Sequence, residues 1–266
     1  MDEAFEYLKI EIDETSGVNV VRLDRPERRN ALNAALVGEL KEAIALAGAD
    51  DRVRVIALAG EGPDFCAGAD LAEVAASVEE GPMASLADAE SLGELFTLIR
   101  RLEKPVAAVV HGRALAGGCG LATACDLVLA GAGASFGYPE VKLGFVPAMV
   151  MAILRRNLSE KGAFELVALG DAIDASQAAQ LGLVNRIFPD ERLDEEAMAF
   201  LGRLARRSGS ALALTKRLLY QTENQSFEAA IATGAGVNAL ARTTEDCRAG
   251  IEAFLTKGSG GEGGRP

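Results

Sequence analysis

Between residues 104 and 147 an apolar run passes straight into a glycine cluster, and that pairing leaves few folds open. The run is Val106-Ala107-Ala108-Val109-Val110, the length of a buried strand and without the polar alternation of a surface one. Directly after it comes Gly112-Arg113-Ala114-Leu115-Ala116-Gly117-Gly118-Cys119-Gly120, with four glycines in nine residues. Glycine at that density, between a strand and a short helix, marks backbone that must approach something closely. A second apolar strand follows over 127–130, then the small-residue loop Gly131-Ala132-Gly133-Ala134. The stretch closes with Phe136-Gly137-Tyr138-Pro139-Glu140-Val141-Lys142-Leu143-Gly144-Phe145-Val146-Pro147, where Glu140 is the one carboxylate among apolar neighbours. Backbone N–H donors followed by a lone acid in an apolar setting are the parts of an oxyanion site with a proton-transfer group.

The flanking sequence supplies strands and helices in alternation. Residues 5–12 and 18–23 alternate apolar and polar around Glu14-Thr15-Ser16-Gly17, as a hairpin does. The loop Asp24-Arg25-Pro26-Glu27-Arg28-Arg29-Asn30 carries three arginines, readable as a phosphate-contacting patch or as a solvated turn. Leu32, Leu36, Leu40, Ile44 and Leu46 predict an amphipathic helix over 31–47. A buried strand over 53–59 leads into a second glycine-rich loop, Gly60-Glu61-Gly62-Pro63-Asp64-Phe65-Cys66-Ala67-Gly68-Ala69-Asp70-Leu71. A flexible segment is expected over about 72–88, then a helix over 89–102. The last strand-like run is 183–188. Beyond Pro189 the pattern is helical, over 193–205, 211–220, 227–241 and 244–255. The division expected is a core over 1–189, a helical C-terminal region over 190–257 and a disordered tail over 258–266, rich in glycine.

Several functions are set aside by composition. A net charge of −12 over 266 residues opposes a nucleic-acid surface, which needs clustered Lys and Arg. No apolar run reaches the ~18 residues of a membrane span, and two acids near Met1 do not fit a secretory leader. The four cysteines, Cys66, Cys119, Cys125 and Cys247, lack CxxC spacing and fit a reducing cytoplasm better than a disulfide framework. Gly112 to Gly118 lacks the Lys and Ser/Thr of a P-loop, Gly118-Cys119-Gly120 lacks the third glycine of a dinucleotide fingerprint, and no GxSxG is present. His111 is the only histidine, which leaves a metal site little to use, and it reads as structural.

The run from Lys104-Pro105-Val106 through Gly117-Gly118-Cys119, then Cys125-Asp126, then Phe136 to Gly144 resembles the crotonase (enoyl-CoA hydratase/isomerase) superfamily. Arg25-Pro26 with Asn30-Ala31-Leu32, the stretch from Phe65 to Leu71, the one from Ala179 to Asn185, and Phe254 with Lys257 match it in order, over about residues 5–257. The resemblance implies an α/β spiral of ββα units with a C-terminal helical trimerisation region, forming a homotrimer or a dimer of trimers. It implies an acyl-CoA thioester as substrate, with no metal or further cofactor. By position, the backbone N–H groups of Ala69 and Gly117 would form the oxyanion hole. Ala67 and Leu71 would lie around the adenine and pantetheine, Arg28 would meet CoA phosphate, and Phe254 and Lys257 would reach the CoA of a neighbouring subunit.

One departure bears on the chemistry. Hydratases of this family use two glutamates, at the positions of Gly120 and Glu140, and here the first is glycine. Glu140 alone can move a proton between carbons, as double-bond isomerases do, whereas syn addition of water is easier with two carboxylates. The resemblance therefore implies an enoyl-CoA hydratase with one glutamate or, as the alternative, a Δ3,Δ2-enoyl-CoA isomerase. A non-catalytic acyl-CoA-binding or RNA-binding member of the fold is the rival of another class, and the acidic balance opposes RNA. Partial burial should raise the Glu140 pKa.

Overall fold

The computed structural model describes residues 5–259, the last three of them as backbone. Their elements run β1 (Leu8–Asp13), β2 (Val18–Leu23), α1 (Ala34–Ala49), β3 (Val55–Gly60), α2 (Leu71–Glu80), α3 (Pro82–Arg101), β4 (Val106–Val110), β5 (Arg113–Leu115), α4 (Gly117–Ala124), β6 (Leu127–Gly131) and β7 (Ser135–Gly137). A 3-10 turn over Pro139–Leu143 follows, then α5 (Met151–Asn157), α6 (Glu160–Leu169), β8 (Ile173–Asp174), α7 (Ala175–Leu181), β9 (Arg186–Phe188), α8 (Leu193–Ala205), α9 (Gly209–Gln221), α10 (Phe227–Ala241) and α11 (Glu245–Ser259).

Two sheets form. The larger has the order β1-β2-β3-β4-β6-β9, and only the β1–β2 hairpin in it is antiparallel. The smaller has the order β5-β7-β8. Both faces of the large sheet are covered, which is why its central strands read as unbroken apolar runs. Along β3, Val55, Ala57 and Ala59 turn towards Leu193, Ala197 and Leu201 of α8. Ile56 and Leu58 turn to the opposite side, with Leu36, Leu40 and Ile44 of α1 and Leu95 and Ile99 of α3. Helix α8 is thus a layer of the core, and of the region from 190 onward it is α9, α10 and α11 that extend beyond the sheet.

Two isolated parallel bridges, Leu32↔Ala69 and Cys66↔Ala114, complete the pattern. Each large-sheet strand from β2 to β6 is followed by a short extended piece in a second layer: Leu32 after β2, Cys66 to Ala69 after β3, β5 after β4, and β7 after β6. A helical segment follows each piece. This is the ββα spiral that the sequence resemblance implies, with two of its second strands reduced to single bridges.

The segment expected to be flexible over about 72–88 is helical instead. Asp70 caps α2 by accepting from Ala72 N at 3.1 Å, and Gly81, at φ +105°, breaks the chain between α2 and α3 just ahead of Pro82. Those local stop and start signals outweigh the small, acidic composition. At the other end, α11 carries Gly258 and Ser259, two residues of the predicted tail. Residues 260–266 lie outside those described.

Helix α9 is fastened to the core through a buried charge. Lys216 gives its ammonium protons to Asp126 Oδ2 at 2.7 Å, Ile99 O at 2.9 Å and Lys104 O at 3.0 Å. Asp126 also accepts from Tyr220 Oη and from Val106 N, each at 2.7 Å. Burial lowers the Lys216 pKa while the Asp126 charge pulls it back up. Removing one partner of a buried pair costs about 3–5 kcal/mol because the other is left uncompensated. Lys216→Met should therefore lose about that much unfolding free energy in denaturant titration. A loss under about 1 kcal/mol would mean that apolar contacts, not the ion pair, hold α9.

Candidate active site

Three of the expected site residues occupy equivalent places on successive turns of the spiral. Cys66, Ala114 and Phe136 are neighbours across the second layer. Ala69 lies three residues beyond the first, Gly117 three beyond the second, and Glu140 four beyond the third. All three therefore leave the layer on the same edge, which sequence spacing alone could not reveal.

The first two loops are held together through backbone. Leu115 N donates to Cys66 O at 3.0 Å, Cys66 N to Arg113 O at 3.0 Å, and Ala116 N to Gly137 O at 2.8 Å. Gly68, at φ +100°, allows this approach. A Cβ there would sit 2.8 Å from Ala116 Cβ and 3.4 Å from Gly117 N. Ala116 itself is at φ +48°, ψ −126°, a strained backbone for a residue with a side chain. It turns the chain so that Gly117 opens α4. The N–H of a first helical residue has no partner within its helix. Neither Gly117 N nor Ala69 N donates to any acceptor among the described residues, both residues are half-buried, and the Cβ position of Gly117 is 3.8 Å from Ala69 N. Two adjacent, unspent N–H donors result.

Ala69 is fixed from both sides. Leu32 N donates to Gly68 O at 2.7 Å, and Asp70 N donates to Leu32 O at 2.8 Å. Asp70 is braced in turn by Arg25, whose Nη2 is 3.3 Å from Asp70 Oδ2 and whose Nη1 donates to Ala31 O at 2.6 Å. Asn30 ties the same loop to Glu61 O and Asp64 O, at 2.9 and 2.8 Å. The arginine loop thus has a structural member, Arg25, and two exposed ones, Arg28 and Arg29.

Glu140 sits at the first turn of the 3-10 segment, whose Pro139 and Gly144 (φ +70°) fix its two ends. The preceding residue is pinned to α4 by the Tyr138 Oη···Thr123 Oγ1 contact at 3.1 Å. Glu140 is 8% exposed and its Oε2 has no hydrogen-bond partner among the described residues. Burial raises its pKa above the ordinary value of 4.5, since nothing cationic offsets the desolvation. Its neighbour Lys142 is spent on Asp171 at 2.6 Å.

Gly120 is buried on α4. A Cβ added to it would lie 2.5 Å from Val150 Cγ1 and 3.0 Å from Phe96 Cζ. The place that a second glutamate would need is thus closed by two apolar side chains that no local sequence signal connects with it. Among the other expected residues, Ala67 is half-buried with its N–H on Arg29 O at 3.0 Å. Leu71 and Phe254 are exposed, at 61% and 79%, and the Lys257 side chain lies outside the described residues. His111 holds Gly62 O at 2.8 Å, the structural role expected of it. No cluster of His, Cys, Asp and Glu suited to a metal ion exists among the described residues.

Against known proteins, the chain matches the enoyl-CoA hydratase/isomerase family over residues 13–260. It is 38% identical over 241 residues to the 2,3-dehydroadipyl-CoA hydratase of Escherichia coli K12, covering 90% of this chain and 92% of that one. Identity to the crotonyl-CoA hydratase of Syntrophomonas wolfei is 32% over 255 residues, covering 94% and 96%. Among solved structures, an enoyl-CoA hydratase from Mycobacterium smegmatis superposes with a TM-score of 0.89 at 34% identity, covering 94% of this chain and 96% of that one.

The packing at Gly120 is directly testable. Overpacking a well-filled core costs about 1–3 kcal/mol. Gly120→Ala should lower thermal stability accordingly, and Gly120→Ala with Val150→Ala should recover most of the loss. An unchanged melting temperature in the single variant would show that Val150 and Phe96 yield freely.

Proposed function

The chain belongs to the enoyl-CoA hydratase/isomerase family, and from that premise and the site geometry we propose that it converts 2-enoyl-CoA thioesters using one carboxylate, Glu140. The observation that carries this reading is a buried carboxylate without an ion-pair partner among the described residues, on the same edge as two unspent backbone donors. Ala69 and Gly117 would polarise the thioester carbonyl and take up the charge of the enolate, a role whose loss typically costs ~10²–10³ in rate. Hydration is the first reading, supported by the relatives named hydratases. Ionised Glu140 removes a proton from water as the oxygen bonds to the β-carbon and the electron pair moves onto the thioester oxygen. The protonated acid then returns that proton to the α-carbon, so the net addition is one water.

A second reading is favoured by the apolar closure at Gly120. With no other carboxylate there to hold water, Glu140 would take a proton from carbon 2 of a 3-enoyl-CoA and return it to carbon 4 of the dienolate. Neither route uses a metal or a cofactor beyond the CoA that the substrate carries. The CoA phosphates would meet Arg28 and Lys257, the second reaching a neighbouring subunit together with Phe254, while Ala67 and Leu71 line the adenine and pantetheine. Association into a homotrimer or a dimer of trimers is supported by α10 and α11, which expose Phe227, Ile231, Ile251, Phe254 and Leu255. No helix among the described residues is long and apolar enough to cross a membrane, and we place the enzyme in the cytoplasm.

Glu140→Gln should lower turnover by several orders of magnitude while CoA-thioester affinity stays within about tenfold, because only proton transfer is lost. In the wild type, both routes start from the carboxylate. Activity should therefore fall as pH drops through the raised Glu140 pKa, at a pH above the 4.5 of an ordinary glutamate. Near-normal activity of the variant would remove Glu140 from the mechanism. Turnover of matched 2-enoyl and 3-enoyl substrates in heavy-oxygen water separates the readings. Brisk label in a 3-hydroxyacyl product establishes hydration, whereas unlabelled double-bond shift establishes isomerisation.

The CoA assignment has its own test. Lys257→Ala should raise KM more than it lowers kcat, and affinity should weaken with added salt as phosphate–cation pairs are screened. Salt-independent binding would contradict it.

A further inference from the structure

The proposed reaction centre is divided between two elements. The Gly117 N–H stands at the start of α4, and Glu140 stands on the 3-10 turn over Pro139–Leu143. Donor and acid must meet one substrate, and a misplacement of about 1 Å can cost ~10² in rate. One tie between the elements is made of backbone, from Ala116 N to Gly137 O at 2.8 Å. Nearer the acid, Pro139 has no N–H with which to repeat it. The exposed Lys142–Asp171 pair on the far side of Glu140 is of the kind that holds a side chain only weakly.

A second tie is made of side chains and is sealed from water. Tyr138 is fully buried, and Thr123, on the last turn of α4, is 3% exposed. Their hydroxyl oxygens are 3.1 Å apart. Thr123 Oγ1 also lies 2.8 Å from Cys119 O and 3.3 Å from Gly120 O. Carbonyl oxygens only accept, and a hydroxyl has one proton. The Thr123 proton therefore goes to the helix backbone, and Tyr138 is the donor to Thr123. This gives the chain a fixed direction, from the Tyr138 hydroxyl through that of Thr123 to carbonyls two and three residues beyond Gly117. The Cys119 thiol lies against the same phenol. Burial pushes Cys119 up to about 12 and Tyr138 well above the usual phenol range, and the Glu140 charge raises both further. Both keep their protons where Glu140 titrates, so the chain is neutral and acts on the acid through position.

We propose that Tyr138 and Thr123 are positioning residues of the reaction, whose buried hydroxyl chain sets Glu140 against the Gly117 donor and holds it out of water. The proposal rests on the catalytic reading of Glu140 above and adds to it the pair that aims the carboxylate. With the chain broken, the turn is free to move off α4 and the acid gains solvent.

Tyr138→Phe deletes one oxygen and keeps the ring in the core, and Thr123→Val removes the next link. Each should lower kcat on whichever of the 2-enoyl and 3-enoyl substrates is turned over by about tenfold or more, with KM within about twofold. The melting temperature should fall by only a few degrees, as for one lost hydrogen bond. Thr123→Ser keeps the hydroxyl and should retain most of the rate. Combining Tyr138→Phe with Thr123→Val should be no slower than the worse single variant, because the two changes break one chain. As Glu140 gains water its raised pKa should fall towards 4.5, moving the acid limb of the pH–rate profile to lower pH. An unchanged kcat and pH profile in the folded Tyr138→Phe variant overturns the proposal and leaves the chain as support for the fold. So do multiplicative losses in the double variant without retention of rate by Thr123→Ser. The Glu140 pKa can also be read without turnover, by NMR of isotope-labelled glutamate assigned with Glu140→Gln. A wild type that turns over neither substrate, with a Glu140 pKa that still falls in Tyr138→Phe, overturns the catalytic reading and supports the placement.

Discussion

The site depends on how closely successive turns of the spiral bring their backbones together. Three short hydrogen bonds, from Leu115 to Cys66, from Cys66 to Arg113 and from Ala116 to Gly137, leave no room for side chains between the loops. Gly68 and Gly118 are where this closeness is absolute. A Cβ on Gly118 would run into the carbonyl oxygen and Sγ of Cys66. The N–H groups of Cys66, Leu115 and Ala116 are consumed in this stitching, whereas those of Ala69 and Gly117 are left unspent among the described residues. Their position is inherited from the sheet register rather than from flexible side chains, which is the rigidity that stabilising a developing oxyanion requires.

Charge in the interior separates support from chemistry. Among the described residues, four ionisable groups with formal charge at neutral pH are buried: Arg25, Asp64, Glu140 and Lys216. Arg25 pairs with Asp70, Asp64 with Arg113, and Lys216 with Asp126. Each of these pairs joins segments distant in sequence, and its desolvation is offset by the partner. Glu140 makes no ion pair among the described residues and has an orphan oxygen. A group buried without compensation is costly, and such costs are retained where a perturbed acid is useful. The contrast with three compensated groups sets Glu140 apart and supports the proton-transfer role proposed for it.

Much of this was legible in the sequence because the signals are local. Unbroken apolar runs gave the central strands, and periodicity gave α8 and α10 with the boundaries observed. The glycine clusters and the lone acid also stood out, since each depends only on composition along a few residues. Short strands did not. β5, β7 and β8 have two or three residues each, too few to show a period of two, and the bridges at Leu32 and Cys66 show none. The partners of Gly120 were equally hidden, because Phe96 and Val150 lie 24 residues before it and 30 after it and meet there only through packing of α3 and the segment before α5 on α4. The role of Asp126 was similarly closed to local reading, since its partner Lys216 lies 90 residues away.

That last pair links the C-terminal helices to the site by a continuous physical path. Asp126 follows α4 directly, so the residue that receives Lys216 and Tyr220 is on the chain that leaves the Gly117 helix. Tyr220 presents one end to Asp126 and its ring face to Arg100. Arg100 lies on α3, one turn beyond Phe96, which closes the space at Gly120. The ion pair that fastens α9 therefore also sets the position of the aromatic ring on which Arg100 rests. A helix held by apolar contact alone could slide by a fraction of a turn at little cost. One held by an ammonium with three fixed acceptors cannot, because any displacement strands a buried charge. Helix α9 is in this way tied to the face of α3 that carries Phe96.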